Sequence, residues 1–305
     1  MNFSILTLGS ASALPVKGRN PSAHILDIGE QLFLLDCGEG TQMQMQKFRV
    51  KISKISKIFI THLHGDHYFG LSGLLSSFHL YRRTDKIELY GPPILRDILD
   101  LQFKASNTNL SFELDFIPIE ENYIGKIFED KNIIVETFPL QHRIPTHAYV
   151  FRQKNIKRNI NKDFVEAENP PFEAIRSIKN GKDFISESGK LFKNEDITYV
   201  RKDLSSFAYC TDTIFDPSIV PHLEGVNTIY HEATFGNDNE EHAKEKHHST
   251  AQQAAKIAKM SNAKQLIIGH YSSRYDDLNV LLSEAKEVFE NTKLAIEGQW
   301  IDEFY

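Results

Sequence analysis

Short apolar runs separated by Gly, Pro and Asn open the chain: Phe3 to Leu8, Ala23 to Ile28 and Leu32 to Asp36. Runs of this length between turn formers predict the strands of an antiparallel meander. Thr41 to Phe48 follows Gly38-Glu39-Gly40 and reads as a helix, whereas Ile58-Phe59-Ile60 reads as a buried strand. Phe69 to Tyr81 suits a helix packed on a sheet, and Ile94 to Lys104 is a second such segment. Further strands are expected at Ile87 to Tyr90, near Phe112 to Ile117, at Ile133 to Leu140 and at Ala148 to Phe151. From Arg152 to Lys162 the apolar periodicity is poor, although Glu173 to Lys179 could form a short helix. Residues 154 to 184 are therefore expected to form a protruding insertion.

The second half resumes the alternation. Ser206 to Thr211 predicts a strand ending at Asp212, Thr228 to His231 one ending at Glu232, and Gln265 to Ile268 one ending at Gly269-His270. Each strand releases a polar residue at its C-terminal end. Helices are expected at Thr250 to Lys259, capped by Ser249 or Thr250, and at Asp277 to Val288, where acidic residues complement the helix dipole. Strands recur too often for a helical bundle, and helices too often for an uncovered sandwich, so the fold class is α/β (α+β).

At 305 residues the length permits one large domain or two ordinary ones. With 41% hydrophobic and 25% charged residues the composition is that of a soluble globular protein. No apolar stretch approaches a membrane span, so no membrane partner is expected. Ala11-Ser12-Ala13 looks like a signal-peptide cleavage site, but no positive charge precedes it and Thr7 interrupts the apolar core, so a strand is expected there. Two cysteines, Cys37 and Cys210, are too few for a disulfide scaffold and fit a reducing cytoplasm. A net charge of -6 excludes a uniformly basic nucleic-acid binder. Charge is nevertheless segregated: residues 151 to 202 hold twelve Lys or Arg against eight Asp or Glu, a local +4.

The densest chemistry is Thr61-His62-Leu63-His64-Gly65-Asp66-His67, in a loop at the C-terminal end of a strand. Imidazoles and a carboxylate at this spacing suit a borderline metal such as zinc, and alternate residues of an extended loop can serve two ions. His142, Asp212 and His270 also sit at or just beyond strand ends, which brings the potential ligands to seven. That number suits two ions sharing one carboxylate.

This set resembles the metallo-β-lactamase superfamily, and within it the ribonuclease Z family of tRNA 3′-processing endonucleases, over nearly the whole chain. The resemblance rests on Pro15-x-Lys17-x-Arg19-Asn20, on Asp36 to Gln42, on the His62 loop and on Tyr209-Cys210-Thr211-Asp212-Thr213. It rests more specifically on His231-Glu232-Ala233-Thr234-Phe235, His248-Ser249-Thr250 and Gly269 to Tyr275. It implies a four-layer αββα sandwich spanning residues 1 to 305 as a single domain, with the 154 to 184 insertion as a basic flexible arm. It also implies two Zn2+ per subunit: one on His62, His64 and His142, a second on Asp66, His67 and His270, with Asp212 bridging.

Such a pair can activate water and stabilise both oxygens of an in-line displacement at phosphorus. By the same resemblance Asp66 is the general base, Glu232 orients His248 near the scissile phosphate, and Arg274 with Ser273 holds a phosphate oxygen. Lys17 and Arg19 of the Pro15 loop and Lys154, Lys157 and Arg158 of the arm are the remaining candidate substrate contacts. Asn169-Pro170-Pro171-Phe172 and Lys179-Asn180-Gly181 match the ends of the family's arm, but the Gly-Pro dipeptide usual between them is missing. The expected partners are precursor tRNA and a second copy of the chain, each arm serving the other subunit's site. The alternative is a hydrolase of the same fold acting on a small phosphodiester, thioester or lactone. A di-iron redox relative would carry Glu in place of His64.

Overall fold

The structure, a computed structural model, describes residues 3–16, 18–29, 31–154, 158–199 and 204–302. Side-chain alternation along the strands decides its layers. In Gln31–Leu35, Leu32 and Leu34 pack into a cluster with residues of the helices Leu71–Leu80 and Ile94–Ala105, while Phe33 meets Phe59 and Phe151. Ser206–Cys210 repeats the rule. Ala208 and Cys210 join a cluster that includes Ala254, Ala258 and Leu281 of the helices Ala251–Met260 and Asn279–Lys286, and Tyr209 contacts Tyr230 and His24. Aliphatic side chains thus cover the outer, helix-facing surfaces, and buried aromatic rings fill the space between two sheets. These are the four αββα layers expected. Truncating one of the buried rings to Ala costs about 3–5 kcal/mol.

Each large sheet has seven strands. The first runs Trp300–Asp302, Phe3–Gly9, Ala23–Ile28, Gln31–Leu35, Ile55–Phe59, Ile87–Gly91 and Leu114–Pro118. Its opening strands pair antiparallel, as the meander predicts, and pairing turns parallel from Gln31–Leu35 onward. The second runs Thr292–Leu294, Gln265–Gly269, Thr228–Glu232, Ser206–Cys210, Thr146–Gln153, Ile133–Leu140 and Gly125–Glu129. Its first four strands are parallel to one another. Parallel strands place their C-terminal ends along one edge of a sheet, where polar loops can collect.

Thr250 is the cap of Ala251–Met260, in a capping box with Gln253. The helix expected over Phe69 to Tyr81 is present as Leu71–Leu80, and a further turn of helix, Gly65–Tyr68, precedes it within the His62 loop. Three strands of the two large sheets have no counterpart in the sequence-based expectation: Gly125–Glu129, Thr292–Leu294 and Trp300–Asp302. All three are sheet edges, where a half-exposed or three-residue strand leaves little apolar alternation. Among the described residues no helix is long and apolar enough to cross a membrane.

Glu129–Ile134 and Arg152–Leu204 form a second compact unit. Within it Asn159–Ile160 pairs with Thr198–Tyr199 and Phe184–Ile185 with Leu191–Phe192, and the helices Lys162–Glu168 and Phe172–Lys179 lie between these pairings in sequence. Phe164, Ile178 and Ile197 form its small core, with Ile160, Val165, Phe184 and Phe192 packed around them.

Candidate metal centre and active site

The His62 loop is held from behind by Asp36, which turns out of its strand in a left-handed conformation (φ 55°) and is fully buried. Asp36 accepts hydrogen bonds from Thr61 N (2.8 Å), Thr61 Oγ1 (2.9 Å) and, from the second sheet, Tyr209 OH (3.0 Å). Two glycines permit the close approach. A Cβ at Gly70 would lie 2.1 Å from the Gly38 carbonyl oxygen, and one at Gly38 would lie 2.4 Å from the Asp66 carbonyl oxygen.

The expected ligands converge in two groups. His62 Nε2 and His142 Nε2 lie 3.1 and 3.2 Å from His64 Nδ1, and Asp212 Oδ2 is 3.6 and 3.7 Å from the first two. In the second group His67 Nε2 and His270 Nε2 are 3.3 Å apart, and each is 3.4 Å from Asp66 Oδ2. Asp212 Oδ1 lies 3.4 Å from His67 Nε2 and 3.2 Å from His270 Nε2. One carboxylate therefore gives an oxygen to each group.

Hydrogen bonds on the far side of the rings set which nitrogen points inward. Thr61 Oγ1 can donate to Asp36, so at 3.0 Å it accepts from His62 Nδ1. His67 Nδ1 donates directly to Asp36 Oδ2 at 2.8 Å, and His142 Nδ1 donates to the carbonyl of His247 at 2.8 Å. Thr234 Oγ1 donates to Glu232 Oε2 (2.7 Å) and accepts from His270 Nδ1 (3.0 Å). Each ring thus turns an unprotonated Nε2 inward when neutral. Lone pairs converging at this spacing repel one another unless a cation lies among them. Zinc–nitrogen bonds of about 2.0–2.1 Å in a tetrahedron give edges of about 3.3 Å, so the donor set fits a borderline divalent metal.

The electrostatics carry the same signature. Burial opposes a charge on His67, yet Asp212, Asp66 and Asp36 together outweigh it and raise its pKa well above the ordinary value. Burial, reinforced by the nearby charge on His67, holds His62 well below. Burial also opposes ionisation of Asp66, but His67 and the hydrogen bond from His270 outweigh it and hold the carboxyl far below the usual range. A cation entering such a site displaces the proton that the carboxylates otherwise hold on the imidazole.

Beside the ligands, the fully buried Glu232 accepts from His248 Nδ1 (2.8 Å) and Thr213 N (2.9 Å) through Oε1, and from Thr234 through Oε2. Burial lowers the His248 pKa, but the charge and hydrogen bond of Glu232 outweigh it and push it up to about 9. His248 is also near enough to Asp212 and His270 to share an ion with them.

A 650 Å³ cleft opens onto the cluster of histidines and aspartates and is lined by His248, Ser273 and Arg274 as well. Arg274 is steadied by Asn239 Oδ1 (3.3 Å) and His242 Nε2 (3.4 Å). Arg19 instead donates to the Ser272 carbonyl (3.3 Å) and lines a neighbouring 290 Å³ cavity with Asp276 and Glu297. Lys154 pairs with Glu129, and Arg158 Nε donates to Thr198 Oγ1 at 2.6 Å, both within the second unit. Lys17 and Lys157 lie outside the described residues.

Asp36, Thr61 and Thr234 are not among the site residues singled out from the sequence. The available signal is positional, since Asp36 follows a strand end as Asp212 and His270 do.

Ribonuclease Z of Bacteroides fragilis is 40% identical over 296 residues, covering 97% of this chain and 97% of that protein. The chain belongs to the ribonuclease Z family. Ribonuclease Z of Porphyromonas gingivalis is 39% identical over 300 residues, covering 98% of this chain and 99% of that protein. Among solved structures, the short form of human tRNase Z superposes with a TM-score of 0.72 at 28% identity, covering 99% of this chain and all of that one (100%). A metallo-β-lactamase fold protein of Bacillus subtilis, YhfI, has a TM-score of 0.66 at 17% identity, covering 99% of this chain and 100% of that one, a likeness of fold alone. The fold is that of the metallo-β-lactamases. Residues 3–163 also match the family model described as Anti-Pycsar protein Apyc1, and by that match the chain counts as a member of that family too. The stretch supplies His62, His64, Asp66, His67 and His142, while Asp212 and His270 lie beyond it.

Proposed function

We propose that this ribonuclease Z family member is a zinc-dependent endoribonuclease that removes the 3′ trailer of precursor tRNA, cutting after the discriminator base and leaving a 3′-hydroxyl. The observation that carries the reading is Asp212, whose two oxygens face two separate groups of imidazoles. The relatives named ribonuclease Z support the substrate class. His62, His64 and His142 would hold one zinc and Asp66, His67 and His270 a second, with Asp212 shared. When bound, such a pair makes water nucleophilic at neutral pH and neutralises charge developing on phosphoryl oxygens.

The chain's own groups divide the proton work. Asp66 is ionised at any physiological pH and accepts the proton of the attacking water. His248, charged at neutral pH, faces the departing 3′ oxygen and donates to it, with Glu232 holding the ring by Nδ1 so that Nε2 is the donor. Environments that push two titratable groups in opposite directions separate a base from an acid in this way. Arg274 and Ser273, on the rim of the cleft, hold a non-bridging phosphate oxygen.

The 154 to 184 segment, which falls in the second compact unit, grips the folded body of the tRNA through phosphate contacts, with recognition by shape. Lys154 and Arg158 belong to that grip, and Arg19 with Lys17 meets the 3′ end. A homodimer in which each arm serves the partner's site follows from the family resemblance. Two buried free thiols, Cys37 and Cys210, suit the reducing cytoplasm in which tRNA matures. The test is one end-labelled precursor tRNA offered to chelator-stripped and to zinc-restored protein. Cleavage by the restored protein alone, at one position and with a 3′-hydroxyl, is expected. No cleavage by either, or a cyclic phosphate end, overturns the reading.

A further inference from the structure

We propose that Phe69 is a stacking platform for the base of a nucleotide flanking the scissile phosphate, an inference that rests on the endonuclease reading above. Phe69 is 64% exposed, although it stands two residues after the candidate ligand His67, which is buried. Its ring covers the main chain of Gly65: a Cβ there would meet Phe69 Cε2 at 2.3 Å. Tyr68 packs against the ring edge-on, with centroids 5.0 Å apart. A Cβ at position 65 would push the ring out of this placement, so Gly65 is what lets Phe69 lie over the loop.

The remaining surface of the ring lines the same 650 Å³ cleft that holds Asp66, Asp212 and His270. That volume lies within the range of sites that enclose a small organic ligand, and exceeds what one phosphodiester group fills. The lining is chemically divided. Arg143, Lys246 and Arg274 supply positive charge for the phosphates on either side of the cut, whereas Leu14, Pro15 and Phe69 supply apolar surface. A single-stranded nucleotide has both needs: an anionic backbone and a flat base that gains from leaving water. Of the two phenylalanines that line the cleft, Phe235 is buried and only Phe69 presents an open π face, and stacking on an aromatic side chain tolerates any base. A subsite of this kind would orient the strand without reading its sequence, which suits trailers of differing sequence.

The experiment compares wild type with Phe69→Ala, Phe69→Leu and Phe69→Trp. Each is assayed for kcat/KM on an intact precursor tRNA and on two copies lacking the base immediately 5′ or 3′ of the cut, with zinc content measured alongside. Loss of one stacking contact corresponds to about a 5- to 150-fold fall. Phe69→Ala and Phe69→Leu are expected to show that fall on intact RNA while Phe69→Trp keeps near-wild-type activity. On one of the two base-deleted RNAs the variants should equal wild type. A Leu variant as active as wild type, or the same loss on both base-deleted RNAs, overturns the inference. Should Phe69→Ala lose zinc, the Leu and Trp variants at full zinc content decide. A wild type unable to cut the intact RNA would sink the endonuclease reading, whereas a cutting wild type matched by Phe69→Ala sinks this inference alone.

Discussion

Glu232 Oε1 lies 2.8 Å from His248 Nδ1, and the same carboxylate reaches His270 through the hydroxyl of Thr234. Asp36 repeats the plan on the first sheet. It holds His67 directly at 2.8 Å and His62 through the hydroxyl of Thr61. Two buried carboxylates, each with one threonine relay, therefore orient four imidazoles through their Nδ1 atoms.

The Glu232–His248 pair predicts a titration. The folded pKa of His248 is raised to about 9 from an ordinary 6.5, so its charge, and the stability the pair adds, is fully present below 6.5 and is lost as pH rises through 9. NMR titration of the metal-free protein should place the His248 transition near 9, and Glu232→Gln should move it below 6.5. A transition that ignores Glu232→Gln contradicts the pairing. In zinc-loaded enzyme, His248→Ala should keep both metals and slow the chemical step about 100- to 10,000-fold. Stoichiometric metal loss would make His248 a ligand.

The threonine relays predict a metal-affinity effect without any change of ligand. Thr234→Val leaves His270 Nδ1 without its acceptor and removes a donor from Glu232. Zinc affinity should fall about 10- to 100-fold, the usual effect of losing a group that orients a ligand, while Thr234→Ser retains it. Competition with a chromogenic chelator measures this, and unchanged affinity in the Val variant would show that the relay is unnecessary.

Asp66→Ala should separate binding from chemistry. It removes a ligand oxygen and the proposed base, so cleavage should vanish while precursor tRNA still binds. Retention of more than a small fraction of wild-type turnover would remove Asp66 from its role.

Replacing residues 158 to 199 by a Gly-Ser linker should leave both seven-stranded sheets intact, because the small core of Phe164, Ile178 and Ile197 leaves with the segment. Cutting only 154 to 184 would strand Ile197 and remove the partner of Thr198–Tyr199. Hydrolysis of a small phosphodiester should be nearly unaffected, whereas kcat/KM for precursor tRNA should fall and its salt dependence become shallower. Equal loss on both substrates would assign the segment to the fold or the metals.

The seven candidate ligands were readable from sequence because they gather at or just beyond the ends of apolar runs. Apart from the edge strands Gly125–Glu129, Thr292–Leu294 and Trp300–Asp302, the strands of the two large sheets are marked by the same runs. Thr61 and Thr234 carry no such mark. Their roles depend on which atoms meet across the layers, as when Tyr209 reaches Asp36 from 173 residues away. The helix Lys162–Glu168 buries only Phe164, so its sequence shows hardly any apolar face. Edge strands such as Gly125–Glu129 are half exposed and escape period-two patterning for the same reason.

Zinc titration of the stripped protein, with cleavage of precursor tRNA followed at each addition, tests the shared carboxylate most directly. Asp212 divided between two ligand groups predicts that activity rises in step with the second zinc per chain and saturates at two. Full activity at one zinc per chain, with no further gain from a second, would contradict the account.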